Sequence, residues 1–314
     1  MSVFVARRLA TLVIQVFLVA TIIFLMMRLV PGDPARAILG ETASDDQVAT
    51  MQDKLGLNEP MLEQYTSWLG NAAQGDLGKS IISGRSVSGD IEARIWRTLE
   101  LIAISIVLSV LVAVPLGTIA AVRANRFADY FLSTLAMVGL SLPGFVVGTL
   151  LLVVFALHFQ ILPQTVFVSW ADDPVGHMKL LILPSLTLTL SNAAVILRMM
   201  RSSMLEVVRQ DYVRTARAKG VAERQVIRDH ALRNAINPVV SIIGLEASTL
   251  LGGMVIVEQI FNWPGLSSLL ISGVLSRDYP VVQGVVLVIA VLTILINVIV
   301  DITYGVLDPR IRMS

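Results

Sequence analysis

The chain has 314 residues, of which 55% are hydrophobic and 15% charged, and its mean hydropathy is +0.77. These values exclude an ordinary soluble globular domain and predict a membrane protein. The net charge of +1 indicates no polyanionic partner for the chain as a whole, and the absence of cysteine excludes disulfides and thiolate chemistry. The length allows one polytopic membrane domain and no large soluble one.

The first apolar segment, residues 9–30, follows Arg7 and Arg8. A cleaved signal peptide is the alternative here, because the Ala-Arg-Ala triplet at 35–37 resembles a cleavage site. The segment is longer than the apolar part of a signal peptide and long enough to cross a bilayer, so we predict an uncleaved spanning helix. Five further segments have the length of a spanning helix: 101–122, 131–157, 180–197, 239–257 and 281–300.

The distribution of charge predicts how these segments are oriented. Residues 31–97 are polar and mixed in charge, which predicts an extracytoplasmic insert after the first span. If both termini are cytoplasmic, the cytoplasmic segments contain 15 of the 24 Lys and Arg residues, as the positive-inside rule requires. The predicted fold is therefore all-α with six transmembrane helices. Its parts are a tail and first helix at 1–30, the insert at 31–97, and a five-helix core at 98–314 with a cytoplasmic loop at 198–235.

The segment 198–234 holds nine basic and four acidic residues between two apolar segments. Apolar residues at helical spacing predict an amphipathic helix in its first half: Leu205, Val208, Tyr212 and Ala216. Gly220 is expected to end this helix, because glycine adopts the left-handed conformation at little steric cost. A second apolar stripe predicts a second short helix: Val226, Ile227, His230 and Ala231. Pro238 is expected to open the next membrane helix, since proline is tolerated in a first turn.

Prolines and one acid interrupt the predicted spans. Pro115, Pro143 and Pro184 are typical of kinked helices around a pathway, but also of ordinary helix packing. Glu246 is the one ionisable group deep in a predicted span, and such groups usually face a pathway or a partner. Glu246 and Ser248 are therefore candidates for the translocation path. A structural hydrogen bond to a neighbouring helix is an equally good interpretation.

Several enzymatic sites are excluded by spacing. Gly78-Lys79-Ser80 resembles the end of a phosphate-binding loop, but the position of the first glycine is occupied by Ala73 and the topology places the segment outside the cell. The three histidines (His158, His177 and His230) are too scattered to form a metal site, and each is expected on the surface or in packing. No nucleophile-elbow serine or facing pair of membrane carboxylates is present. We therefore predict no catalytic residue, metal or cofactor on this chain.

Several longer motifs make the chain resemble a known family nearly from end to end. They are VPGDP at 30–34, LGL at 55–57, GDLG at 75–78, DYVRTARAKG at 211–220, HALRN at 230–234, FNWPGL at 261–266, RDYP at 277–280 and LDPR at 307–310. In their order and topology the chain resembles the inner-membrane permease subunits of ABC importers in the dipeptide/oligopeptide/nickel family. The resemblance implies the type I importer architecture and a multi-pass protein of the bacterial inner membrane.

The resemblance also assigns a role to the segment 198–234. It looks like the family's coupling loop, the short cytoplasmic helix that docks into a cleft on the ATPase. The residues carried over are Asp211, Tyr212, Arg214, Thr215, Ala216, Arg217, Ala218, Lys219 and Gly220. Against the general Glu-Ala-Ala…Gly pattern of such loops only Ala216 and Gly220 fit, whereas the peptide-family version is intact.

What the resemblance implies for function is import of dipeptides or oligopeptides by alternating access. The implied partners are a second homologous permease, two cytoplasmic ATPase subunits that bind ATP and Mg, and an extracytoplasmic solute-binding protein. Nickel is less favoured, because the spans offer no imidazole or thiolate ligands; glutathione and opines remain open. A secondary transporter is the more distant alternative, although it would normally show internal repeats or more membrane charges.

Overall fold

The computed structural model describes residues 2–29, 34–40, 42–54, 56–160, 162 and 167–307. Within these ranges the chain is helical, and its only β-type pairing is an isolated bridge between Lys79 and Ser86. The helices are α1 (Ser2–Leu29), α2 (Pro34–Leu39), α3 (Asp45–Lys54), α4 (Met61–Ala73), α5 (Val87–Val122), α6 (Phe127–Ser141), α7 (Gly144–Leu151), α8 (Pro174–Val208), α9 (Asp211–Ala218), α10 (Glu223–Gln225), α11 (Arg233–Ile260), α12 (Leu266–Leu275) and α13 (Tyr279–Leu307). π-Helical segments at Leu152–His158 and Val226–Leu232 continue α7 and α10. The motif residues at 30–33, 55 and 308–310 lie outside the described residues.

In the part of the chain that the structure describes, five helices are long and apolar enough to cross a membrane: Arg7–Leu29, Val87–Val122, Pro174–Val208, Glu223–Ile260 and Tyr279–Thr303. A sixth candidate is the pair Phe127–Ser141 and Gly144–His158. Counting that pair as one span gives the six that the sequence predicts, and the all-α fold is confirmed.

The predicted span at 131–157 is broken near Pro143, one of the prolines that the sequence associates with kinked helices, and it bends by 99° between Ser141 and Gly144. Leu142 has an extended conformation with ψ 122°, and Pro143 follows it with φ −58°. The residue before a proline is pushed out of the helical region by contact with the proline ring. The break therefore has a local cause. Pro115 and Pro184, in contrast, lie within the continuous helices α5 and α8.

The chain forms two compact units, of which the first comprises residues 1–5, 99–263 and 296–314. Its central helix is α8, which carries the buried side chains Ile196, Met200 and Met204. A Cβ atom added to Gly117 would lie 2.7 Å from the Cβ atom of Met200, so glycine is what allows α5 and α8 to approach so closely. Small residues at such crossings let helix backbones meet in a membrane, where close packing replaces the hydrophobic effect.

The second unit comprises residues 6–98 and 264–295. Here α4 packs on α1: the rings of Phe24 and Tyr65 are 5.3 Å apart, and the hydroxyls of Thr21 and Tyr65 are 2.7 Å apart. The start of α5 packs against α12 and α13 through a cluster that includes Val87 and Leu266. The predicted division at residues 30 and 97 follows membrane topology, whereas these units follow contacts, so that division stays a prediction.

The structure corrects the predicted course of the segment 198–234. The first predicted helix is interrupted at Arg209 and Gln210, so Leu205 and Val208 belong to the end of α8 and only 211–218 forms a separate short helix. The second predicted helix is not separate either, because α10 continues through the π-helical segment into α11. Pro238 lies inside α11 and does not open it. A proline is tolerated there at the loss of one backbone hydrogen bond, which the packing of a long helix against its neighbours offsets.

Candidate functional site

The short helix α9 and the turn after it form a small packed element, residues 211–225, which we term the 211–225 hairpin. Its buried side chains, Val213 and Ala216, pack against the fully buried Val226, the first residue of the π-helical segment that follows. Val207 and Val221 pack against these side chains. Burying these apolar side chains fixes the hairpin against the end of α8 and the start of the π-helical segment. It is therefore a packed element rather than a solvated connection.

The turn at Gly220 is a Schellman motif. The Gly220 amide donates to the carbonyl of Arg217 at 2.9 Å, and the Val221 amide donates to the carbonyl of Ala216 at 3.3 Å. Gly220 itself has φ +79°, the left-handed conformation that this motif requires. The prediction that Gly220 ends the helix is confirmed.

The residues assigned to the coupling loop are mostly on the surface of the hairpin. The exposed ones are Asp211, Tyr212, Arg214, Thr215, Arg217, Ala218, Lys219 and Gly220, whereas Ala216 is buried. Arg217 is not a free charge, since its Nε and Nη2 atoms donate to the two carboxylate oxygens of Glu223 at 3.0 and 2.8 Å. Hydrogen bonding to Glu223 raises the pKa of the Arg217 guanidinium above its ordinary value. This bidentate pair ties the two sides of the turn together.

Tyr212 is misassigned by the sequence pattern. The pattern places it in the apolar stripe, but its side chain is 43% exposed and Val213 takes the buried position. The Tyr212 hydroxyl accepts a hydrogen bond from Nδ2 of Asn234 at 2.9 Å and donates to the carbonyl of His230 at 3.4 Å. Tyr212 therefore links α9 to the base of α11. Val213 and Ala216 are three residues apart, a spacing that places them on one face of a helix, and this spacing could have identified the buried face of α9.

A buried ion pair that the sequence did not reveal joins α6 to α8. The Asp129 carboxylate accepts from Nε of Arg201 at 2.5 Å and from Nη2 at 2.8 Å. It also accepts from the Asn125 amide at 2.9 Å and from the Ser133 hydroxyl at 3.2 Å. The Asp129 side chain is 3% exposed and that of Arg201 is 31% exposed. Arg201 is one of the nine basic residues of the segment 198–234, but its guanidinium is paired with Asp129.

His177 occupies a packed position in the first unit. The ring is 1% exposed; its Nδ1 atom lies 2.7 Å from the carbonyl oxygen of Val168 and its Nε2 atom lies 3.2 Å from a carboxylate oxygen of Glu100. The rings of Trp170 and Trp263 lie 4.6 and 5.5 Å from it. Among the described residues no group of three or more potential metal ligands is present. His177 therefore serves as a polar anchor in an aromatic cluster.

Glu246 lines a cavity of about 240 Å³ within the first unit. The wall contributed by α8 includes Ser191 and Asn192, and the wall contributed by α11 includes Glu246 and Thr249. Gly253 lies in the same wall. The cavity is thus apolar in most of its lining, with a few polar groups placed within the membrane-spanning region, as is usual for small-molecule sites.

Ser248, the other candidate for the path, lies elsewhere. Its hydroxyl donates to Oδ1 of Asn297 on α13 at 2.7 Å and contacts the carbonyl of Gly244 at 3.2 Å. Ser248 does not line the cavity that holds Glu246. The structure therefore does not bring the two candidate path residues together, and it gives Ser248 a bond to a neighbouring helix.

Comparison with known proteins decides the family. Residues 113–313 match the family of binding-protein-dependent transport system inner membrane components, and residues 1–102 match the N-terminal region of such membrane components. The chain belongs to this family. It is an ABC importer permease of the inner membrane, a transport subunit rather than an enzyme, and the family implies a complex with ATPase and substrate-binding partners.

Individual relatives cover the permease from end to end. The glutathione transport system permease protein GsiC of Escherichia coli O6:H1 is 43% identical over 309 residues, 98% of each chain. The protein of the same name from Shigella boydii serotype 4 is 42% identical over the same share of both chains. The crystal structure of an amino acid ABC transporter with histidines aligns with a TM-score of 0.51 at 16% identity, over 69% of the permease and 94% of that chain. This last likeness concerns the fold alone.

Proposed function

We propose that the permease imports peptide-like solutes that carry both an amino and a carboxylate group, with dipeptides, oligopeptides and glutathione as the candidates. The observation that supports this most is the 43% identity, over 98% of both chains, to a glutathione transport system permease. Two cytoplasmic ATPase subunits supply the energy and carry the ATP and Mg. A second homologous permease and an extracytoplasmic solute-binding protein complete the complex.

The 211–225 hairpin is the proposed coupling element. It follows the end of α8, and its last residues (α10) continue through the π-helical segment into α11. Helices α8 and α11 form the walls that carry Asn192 and Glu246 in the membrane cavity. From Asn192 to Val208 the helix is continuous over sixteen residue-to-residue steps, about 24 Å at the usual rise. A displacement of the hairpin by an ATPase would thus shift two walls of the cavity through continuous helices.

The orientation we propose places both termini and the 211–225 hairpin in the cytoplasm. The support is the concentration of 15 of the 24 Lys and Arg residues in the segments that this orientation makes cytoplasmic. The hairpin then faces the compartment that contains ATP. The polar residues 31–97 face the solute-binding protein on the other side.

Uptake by the reconstituted complex tests the solute class. We expect the complex with its own binding protein to import radiolabelled glutathione or dialanine at least ten times faster than free Ni²⁺. The physical reason is that the cavity wall offers carboxylate, hydroxyl and amide groups, which suit a zwitterion, and no imidazole or thiolate for nickel. Uptake of Ni²⁺ without either peptide-like solute would contradict this proposal.

A further inference from the structure

The position of Glu246 makes its carboxylate costly unless something binds it. Glu246 lies thirteen residues from the first residue of α11 and fourteen from the last, about 20 Å of helix on each side. An ionised group near the middle of a membrane span requires a partner or water to compensate its lost hydration. Such groups are therefore rarely retained without a use.

The described part of the chain provides no partner for this carboxylate. No hydrogen bond or ion pair joins it to a described residue, and the cavity lining contains no Lys, Arg or His. Asn192, on the opposite wall, is 5% exposed, and its Nδ2 atom finds no acceptor among the residues described. The cavity thus combines an unpaired acceptor on α11 with an unpaired donor on α8. Buried polar groups in native proteins are normally satisfied, so the Asn192 amide points to a missing ligand, and the half-buried Glu246 carboxylate in the same cavity is the charged group available to bind it.

We propose that this cavity is a binding site for the ammonium-bearing end of the transported solute. The Glu246 carboxylate accepts hydrogen bonds from the ammonium group, and the Asn192 amide donates to the carbonyl oxygen beside it. The cavity volume of about 240 Å³ suits one terminal residue rather than a whole oligopeptide. The inference rests on the proposed function, since it assigns the recognition of a peptide-like solute to two named residues.

A second source of positive charge would be a Lys or Arg of the partner permease. The cavity favours the solute because Ser191 and Thr249 add polar groups around the carboxylate, while Gly253 keeps its wall open. An ion pair between Glu246 and the partner permease would need neither the additional polar groups nor the open wall. Contact of Glu246 with the partner permease is the alternative that the experiment below distinguishes.

The test measures the charge preference of the cavity without transport. The chain has no cysteine of its own, so Ser191→Cys introduces a single thiol into the cavity wall. In the assembled complex this thiol is treated with a cationic trimethylammonium-ethyl or an anionic sulfonatoethyl methanethiosulfonate. The quantity compared is the ratio of the two rates, divided by the ratio for free cysteine in solution. Gln259→Cys, at an exposed position of α11 outside the cavity, is the control position on the helix that carries Glu246.

We expect the ratio at position 191 to favour the cationic reagent at least tenfold, and to fall to the value of free cysteine when Glu246→Gln is added. The ratio at position 259 should not respond to Glu246→Gln. Millimolar dialanine or glutathione should slow the cationic reagent at position 191. This experiment measures labelling and not uptake. A complex that failed to import peptide-like solutes would refute the proposed function, whereas the labelling ratio at position 191 would still report the charge preference of the cavity.

Three results would overturn the inference. The first is a ratio at position 191 that does not change with Glu246→Gln. The second is failure of both reagents in every condition, which would mean that the cavity is closed to charged solutes. The third is a thiol that reacts in the isolated permease but is covered in the complex, with assembly lost in Glu246→Gln. That pattern would assign Glu246 to the contact with the partner permease.

Discussion

A permease with Gly220→Val is expected to insert and fold normally and to lose at least nine-tenths of its solute uptake. Gly220 has φ +79°, where a β-branched side chain is strongly disfavoured. Apart from Gly220 and its two chain neighbours, no described residue has an atom within 4 Å of an added Cβ, so the effect comes from the backbone conformation rather than from a clash. The strain of about 1–3 kcal/mol is enough to alter the turn but is small beside the packing of the spans.

Uptake and binding-protein-stimulated ATP hydrolysis by the reconstituted complex measure this effect, with the amount of assembled permease determined in parallel. Ala222→Val is the matched control, because Ala222 has φ −55° and ψ 135°, which valine adopts without strain. This control should retain both activities. If Gly220→Val also retained them, the shape of the hairpin would have no part in coupling.

The largest loss of stability is expected from Asp129→Ala. Its removal leaves the Arg201 guanidinium without the two hydrogen bonds of 2.5 and 2.8 Å that compensate its partial burial. Breaking a buried pair by removing one partner lowers the free energy of unfolding by about 3–5 kcal/mol. Because the Arg201 side chain is 31% exposed and water can partly solvate it, we expect a loss at the low end, about 3 kcal/mol. The carboxylate also holds the Asn125 amide at the start of α6, and that contact is lost as well.

Thermal unfolding of the purified permease, followed by the loss of the monodisperse peak on size exclusion, measures this cost. Asp45→Ala is the control, since Asp45 pairs with Arg36 on the surface with 92% of its side chain exposed. An exposed pair contributes little, so its midpoint should not change. An equal midpoint for Asp129→Ala and the unaltered chain would show that the Asp129–Arg201 pair is not a structural contact.

The sequence alone predicts the features of the hairpin that have a local cause. Gly220 ends a helix because of its own backbone freedom, and its place after a helical stripe is visible in the sequence. The apolar pattern was less informative, since it selected Tyr212 where Val213 is buried. Tyrosine has an apolar ring and a polar hydroxyl, so a simple apolar count assigns it to the wrong face.

Contacts between distant parts of the chain are what sequence reasoning missed. Asp129 and Arg201 are 72 residues apart, and Ser248 and Asn297 are 49 residues apart. No local pattern links such pairs, because they depend on how the helices pack. The bend after Ser141 lies between these cases: Pro143 marks the position, but the 99° angle depends on the packing around it.

Docking of the 211–225 hairpin on an ATPase subunit should protect a thiol placed on the exposed face of the hairpin. Arg214→Cys places the thiol on α9, where the Arg214 side chain is 74% exposed, in a chain without other cysteines. We expect a charged maleimide to label position 214 from the cytoplasmic side only, and at least ten times more slowly once the ATPase subunits are bound. Gln47→Cys, in the predicted extracytoplasmic insert, should label from the opposite side at a rate that does not depend on the ATPases. Labelling of position 214 from outside, or at the same rate with and without the ATPases, would contradict the account.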